Sequence, residues 1–181
     1  MVILALPVAT GLTMLADRVI IYVYSSAFSN SIIALQILAA SLIFAFVSYL
    51  MGYLLNAIDK QRLFTFSIIT TTILNVILNL ILIPKYSYIG ASFATLISEI
   101  VGFFMLYYFT YKNKFRINLA KIVFKPLIAN TVMVGLIIYL KNLHLLLVVG
   151  ISAIAYFLVL FLIKGIGRDE INLLKSYTKQ K

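Results

Sequence analysis

Three charged side chains lie well within long apolar runs of the sequence: Asp17, Arg18 and Glu99. A charged side chain at the centre of a transmembrane helix costs about 2.5–3.5 kcal/mol on insertion scales, so such groups usually face protein or a water-filled cavity. Glu99 lies near the middle of its run, and its side chain is too short to reach the membrane interface. We therefore expect Glu99 to face a cavity or a buried partner.

Asp17 and Arg18 are adjacent in the sequence, so on a helix they point in different directions. One interpretation pairs Arg18 with Glu99 on another helix. The other places Arg18 at the outer membrane interface, where its guanidinium reaches the lipid headgroups. The sequence leaves both interpretations open.

Uncharged polar and small residues recur every four positions, a spacing that places them on one face of a helix. One stripe consists of Ser67, Thr71, Asn75 and Asn79, a second of Ser48, Gly52 and Asn56, and a small-residue seam of Gly90, Ala94, Ser98 and Gly102. Small residues let helices approach closely, and amides hydrogen-bond between helices. The seam is interpreted as helix packing, whereas Asn75 and Asn79 suit either packing or a hydrated pathway.

Residues for covalent or metal chemistry are scarce. The chain has no cysteine, a single histidine (His144) and no glycine-rich nucleotide-binding motif. A thiolate site and a two-histidine zinc site are therefore excluded, and nothing indicates nucleotide-driven chemistry. We expect no cofactor, no metal site and no enzymatic activity.

The composition indicates which elements position these residues. Of the 181 residues 64% are apolar and 11% are charged, whereas soluble domains have about 45–50% and about 25%. Six apolar runs approach or exceed the span of about 20 residues that crosses a bilayer. They extend from Val2 to Tyr24, Ser31 to Ile58, Leu63 to Pro84, Tyr88 to Tyr111, Ile122 to Leu140 and Leu143 to Ile163. The hydrophobic part of the fifth run is expected nearer Pro126 to Leu140.

These runs predict an all-α polytopic membrane protein, with a six-helix transmembrane bundle in residues 1–164 and a cytoplasmic tail in residues 165–181. The formal net charge of +10 would suggest nucleic acid on a soluble protein, but here the basic residues lie between apolar runs. We therefore expect the lipid bilayer, and no nucleic acid, as a partner.

The breaks between the runs carry an uneven share of basic residues. Lys and Arg number 12 in one set of alternate breaks and 2 in the other. Cytoplasmic loops carry the excess of basic residues, so both termini of this multi-pass cell-membrane protein are predicted to face the cytoplasm. No basic residue precedes Arg18, and the first apolar run begins at Val2. We expect the chain to be the C-terminal portion of something longer.

Three stretches of the sequence resemble a known family. The first extends from Leu6 to Phe28 and contains Pro7, Gly11 and the Asp17–Arg18 pair; the second is Gly52 to Gln61, and the third is Asn75 to Glu99. Together they resemble the C-terminal half of the polysaccharide flippases. These are oligosaccharide-lipid exporters related to the multidrug and toxin extrusion transporters and to the lipid II flippase. The resemblance covers residues 4 to 165.

The resemblance implies a transporter of two six-helix lobes that alternates access to a central cavity. Its members move polyprenyl-diphosphate-linked saccharides to the outer leaflet without hydrolysing nucleotide. This chain supplies about one lobe, so the resemblance also implies a missing N-terminal lobe or partner chain. The alternatives are a non-transporting membrane subunit, a truncated fragment, or an intramembrane enzyme acting on the same lipid.

The resemblance suggests roles for four residues. Arg18 would bind the diphosphate, because a buried dianion needs a fixed cation and Arg18 is the only Lys or Arg well within the runs. Asn75 and Asn79 would hydrogen-bond sugar hydroxyls. Glu99 would either hold Arg18 or exchange a proton during the transport cycle.

Overall fold

The computed structural model describes residues 1–114 and 119–163, with backbone alone for residues 119–121. Over those residues the chain forms helices and turns, with no strand. The helices are α1 (Val2–Met14), α2 (Ala16–Tyr24), α3 (Ser31–Ala57), α4 (Gln61–Lys112), α5 (Leu119–Tyr139) and α6 (Leu145–Leu162), and a 3₁₀ turn covers Ser26–Phe28. Four of these helices are long and apolar enough to cross a membrane. The predicted all-α membrane fold is confirmed.

The first apolar run, Val2 to Tyr24, is divided into two helices, which together are long and apolar enough for one broken span. Helices α1 and α2 meet at Leu15 with a bend of 71°. The break places Asp17 in the first turn of α2, where the helix dipole favours a carboxylate. From α3, the Gln36 Nε2 atom donates a hydrogen bond of 3.2 Å to the carbonyl oxygen of Thr13. That oxygen lies in the last turn of α1, where carbonyls lack partners within the helix.

Helix α4 is a hairpin of two antiparallel arms, residues 61–86 and 88–112. Its 52 residues would extend about 78 Å if straight, more than twice the hydrocarbon thickness of a bilayer. The helical backbone is interrupted at Ser87 (φ 52°, ψ −135°). Phe66 of the first arm and Phe109 of the second have ring centroids 6.4 Å apart, so the second arm runs back alongside the first. The third and fourth predicted runs are therefore the two arms of this hairpin.

Helix α3 packs against α1 and against the hairpin, in a compact unit that covers Met1–Leu119. Its buried face includes Val47, Met51 and Leu55. Gly52 on this face lies directly against the ring of Phe64 from the first arm. The small-residue seam of the second arm is buried at all four positions, as helix packing requires, and its residues Ser98 and Gly102 also line a cavity. Close packing of α3 and the two arms places their polar residues beside one another.

The second unit, Ala120–Lys181, contains most of α5 and all of α6. Helix α5 begins at Leu119, so its helical part extends beyond the expected Pro126 to Leu140, and Pro126 lies inside the helix. Helix α6 buries Val148, Ser152, Tyr156 and Leu160, one residue in every four. The predicted tail, residues 165–181, lies outside the described residues.

Candidate functional site

A cavity of about 410 Å³ lies between α3 and the two arms of the α4 hairpin. Its wall combines apolar side chains with a set of hydroxyl, amide and carboxyl groups. The polar residues of the wall are Ser48 and Tyr49 from α3, Ser67, Thr71, Thr72 and Asn75 from the first arm, and Thr95, Ser98 and Glu99 from the second. The cavity is thus a polar site within an apolar set of helices.

The first arm supplies the polar stripe that the sequence indicated. Ser67, Thr71 and Asn75 line the cavity, and Asn79 does not. Asn79 instead supports the site from one turn further along, because its Nδ2 donates a hydrogen bond of 2.9 Å to the Asn75 Oδ1. The Asn79 Oδ1 atom is buried and has no hydrogen-bond partner among the described residues. The hydrogen bond therefore fixes the Asn75 amide relative to the Asn79 amide.

Three hydroxyl groups of the wall donate their hydrogens to carbonyl oxygens of their own helix: Thr71 to Ser67 at 3.0 Å, Thr95 to Ala91 at 3.1 Å and Ser98 to Ala94 at 2.8 Å. A hydroxyl has one hydrogen to donate and two lone pairs that accept. These three groups can therefore only accept a hydrogen bond from a guest, whereas the other hydroxyl groups of the wall can also donate one.

Glu99 lies on the cavity wall and is partly buried. Within residues 1–114 and 119–163, no hydrogen bond or ion pair of this carboxyl group is formed. The sequence had suggested Arg18 as a partner, and the structure does not form that pair. Arg18 lies on α2, which packs against α3, and Arg18 is not among the residues that line the cavity. The structure therefore brings Asn75 and Glu99 together, with Asn79 behind them, and leaves Arg18 apart.

Ser48 is a cavity residue whose role the sequence did not reveal. Its Oγ atom is buried and has no hydrogen-bond partner in the described part of the chain, and the residue is 9% exposed. Its spacing with Gly52 and Asn56 indicated a helix face, but this pattern equally fits plain helix packing. Only the position of the facing hairpin shows that Ser48 shares a cavity with Glu99.

Helices long and apolar enough to cross a membrane, with a partly open cavity that carries polar groups, define the class of polytopic membrane proteins with a polar site among their helices. Residues 1–158 match the family described as Lipid II flippase MurJ, and the chain belongs to this family. The match is to a family of transporters and confirms the resemblance to lipid-linked saccharide flippases.

A curated relative is the probable low-salt glycan biosynthesis flippase Agl15 of Haloferax volcanii. The two proteins are 31% identical over 99 residues, which cover 55% of this chain. The same residues span 21% of the relative, so the chain matches about a fifth of that protein.

Proposed function

We propose that the chain takes part in moving a polyprenyl-diphosphate-linked saccharide across the cytoplasmic membrane, as the C-terminal part of a flippase. The observation that carries this proposal is the polar cavity between α3 and the hairpin, with Asn75 and Glu99 on its wall. A protein that only anchors or packs helices has no need of such a cavity, because buried polar groups are costly in lipid.

Three of the four candidate residues act on the substrate in this proposal, in two groups. Asn75 hydrogen-bonds the hydroxyl groups of the saccharide as it passes, since an amide has both donors and acceptors, and Asn79 holds the Asn75 amide in place from outside the cavity wall. Arg18 binds the diphosphate, because a guanidinium presents a planar fork of donors that matches phosphate oxygens. The polyprenyl chain stays in the lipid. Arg18 lies outside the cavity, so the diphosphate and the saccharide are bound at separate places on the chain.

The proposal includes a second lobe. The matched residues span 21% of the flippase relative, which supports a partner chain or an N-terminal lobe that completes the translocation path. Residues 1–164 form the transmembrane part and 165–181 a cytoplasmic tail, with both termini in the cytoplasm. The uneven count of basic residues, 12 against 2 in alternate breaks, supports this orientation.

The transport requires no nucleotide hydrolysis and no cofactor in this proposal, and the chain is a transporter, not an enzyme. The saccharide crosses by alternating exposure of its site to the two leaflets. The conformation open to one leaflet and the conformation open to the other differ in their affinity for the substrate, and this difference shifts the equilibrium between them.

The experiment that tests the function is removal and return of the chain in its own cells. In cells that lack it, a radiolabelled lipid-linked saccharide should accumulate in the cytoplasmic leaflet, and the glycan made from it should disappear from the cell surface. Return of the wild-type gene should reverse both changes. If the label reaches the outer leaflet equally well without the chain, the proposed function is wrong.

A further inference from the structure

Two tyrosines of α3, Tyr49 and Tyr53, lie on one face of the helix and are exposed. They are four residues apart, a spacing that places side chains one above the other. Their exposed fractions are 59% and 63%. Within residues 1–114 and 119–163, neither hydroxyl group forms a hydrogen bond and neither ring contacts another ring. Two large amphipathic side chains are therefore open to a guest.

This face continues the wall of the cavity. Tyr49 lines the cavity, and Tyr53 lies one helical turn further toward the C-terminal end of α3. Asn56 and Ala57 follow at the next turn of the same face, and both are exposed. These four residues, the tyrosine strip, form a continuous path from the cavity to the end of the helix.

Anchoring at the membrane interface does not account for the tyrosine strip. Interfacial tyrosines place their hydroxyl groups at the level of the lipid headgroups. Side chains on a helix lean toward its N-terminus, so Tyr49 and Tyr53 lean away from the nearer end of α3, at Ala57. Tyr49 is eight residues, or about 12 Å, from that end. Its position on the cavity wall indicates contact with a guest.

The chemistry of the tyrosine strip fits a sugar ring. The strip has two flat aromatic faces, two phenol hydroxyl groups and the Asn56 amide, and it carries no charge. The face of an aromatic ring is the negative part of its quadrupole, so it attracts the C–H groups on the face of a pyranose ring. Hydroxyl and amide groups both donate to and accept from the hydroxyl groups at the edge of the sugar. A diphosphate finds no cation on this strip.

We propose that the tyrosine strip binds a pyranose ring of the lipid-linked saccharide. The sugar stacks on Tyr53, the Asn56 amide binds its hydroxyl groups, and the ring then passes to Tyr49 at the cavity. This inference rests on the proposed transport function and adds to it a contact outside the cavity. The contact distinguishes a lipid that carries sugar from the bare polyprenyl diphosphate.

Protection of an introduced cysteine tests the tyrosine strip. The chain has no cysteine, so Ala57→Cys places one target at the end of the strip and leaves both tyrosines intact. It is reacted with N-ethylmaleimide in solubilised membranes of cells that carry the chain. Polyprenyl diphosphate bearing one glucose should slow the labelling, whereas the same lipid without sugar should not. Lys112→Cys, exposed at the end of the second arm, is the control and should react equally fast with either lipid.

Variants of Tyr53 in the Ala57→Cys chain test the stacking itself. Tyr53→Phe keeps the aromatic face and should retain the protection. Tyr53→Leu stays apolar but has no flat face, so about 2–10-fold more of the glucose-bearing lipid should be needed for equal protection. Tyr139→Leu, at an exposed tyrosine of α5, is the control and should change nothing. Equal requirements for Tyr53→Phe and Tyr53→Leu would exclude stacking and overturn the proposal.

The two lipids separate the possible occupants of the tyrosine strip. Equal slowing with and without sugar would show that the strip binds the polyprenyl chain or the diphosphate. Slowing by neither lipid would show that no substrate reaches the strip. Either result would overturn the proposal. Glycan export that occurs without sugar-dependent protection would count against the tyrosine strip alone, and protection in a chain that supports no export would count against the proposed transport function alone.

Discussion

Gly90 lies directly against the backbone carbonyl group of Leu82, eight residues earlier in the chain. A Cβ atom on Gly90 would lie 2.6 Å from the Leu82 carbonyl carbon. Backbone cannot move aside as a flexible side chain can, so this position admits only glycine. The contact follows immediately on the break at Ser87, and it lets the second arm start close beside the first.

Substitution Gly90→Ala should therefore destabilise the hairpin. Insertion of a methyl group where there is no space costs about 1–3 kcal/mol, and more when backbone must shift. Thermal unfolding in detergent micelles, followed by the loss of helical circular dichroism, measures the effect. Gly11→Ala is the matched control, since a Cβ there has nothing within 4 Å. If both variants unfold at the same temperature, the close approach of the arms is not what holds the hairpin.

The hairpin could be predicted from the sequence in part. Two apolar runs separated by Pro84, Lys85, Tyr86 and Ser87 indicated two spans, because membrane thickness limits the length of each. The bend between α1 and α2 could not be predicted. No proline or glycine lies at Met14, Leu15 or Ala16, and one stabilising contact comes from Gln36 on another helix. The residues at the bend therefore contain no helix-breaking signal from which the bend could be predicted.

Accessibility of single cysteines tests the predicted orientation. The chain has no cysteine of its own, so each substitution introduces one target. An impermeant thiol reagent added to intact cells should label Lys85→Cys and Lys141→Cys but not Lys114→Cys, because the basic-rich breaks face the cytoplasm. The reverse pattern would contradict the orientation. Labelling of both Lys60→Cys and Lys85→Cys would contradict the number of spans.

Arg18 is expected to bind the diphosphate through its fork of donors. Arg18→Lys keeps the charge and loses the fork, so export of the saccharide should fall while the amount of protein in the membrane stays the same. Arg18→Ala should lower export further. Charge-assisted hydrogen bonds contribute about 1.5–3 kcal/mol, which corresponds to about 10–100-fold in affinity. Normal export by Arg18→Ala would exclude the role, and a harmless Arg18→Lys would indicate an interfacial anchor.

Glu99 is expected to be needed for transport and not for folding. Glu99→Gln keeps the size of the side chain and removes its ability to exchange a proton, so export should fall while membrane insertion is unchanged. Glu99→Leu should lower export at least as much. The comparison is made at equal protein levels, with the surface glycan as the readout. Full export by Glu99→Leu would show that the cavity carboxylate has no part in transport.

The candidate site was also only partly predictable. Repetition every four residues placed Ser67, Thr71 and Asn75 on one face, and the cost of a charge in lipid singled out Glu99. The sequence could not show that Ser48 would line the same cavity as Glu99, since that depends on how α3 packs on the hairpin. For the same reason it could not show that Arg18 would lie outside the cavity, beyond the bend at Leu15.

Asn75 lies on the cavity wall, and its substitution tests the proposed transport function most directly. Asn75→Leu preserves the branched shape of the side chain but removes the amide and leaves the Asn79 Nδ2 without its acceptor. Thr70→Val is the matched control, because Thr70 lies on the same arm, outside the cavity, and donates to the Phe66 carbonyl oxygen at 2.8 Å. The measurement is the leaflet distribution of a radiolabelled lipid-linked saccharide in cells that depend on the chain. The proposed function predicts accumulation in the cytoplasmic leaflet for Asn75→Leu and a wild-type distribution for Thr70→Val. A wild-type distribution for Asn75→Leu at equal protein levels would show that the cavity wall has no part in transport.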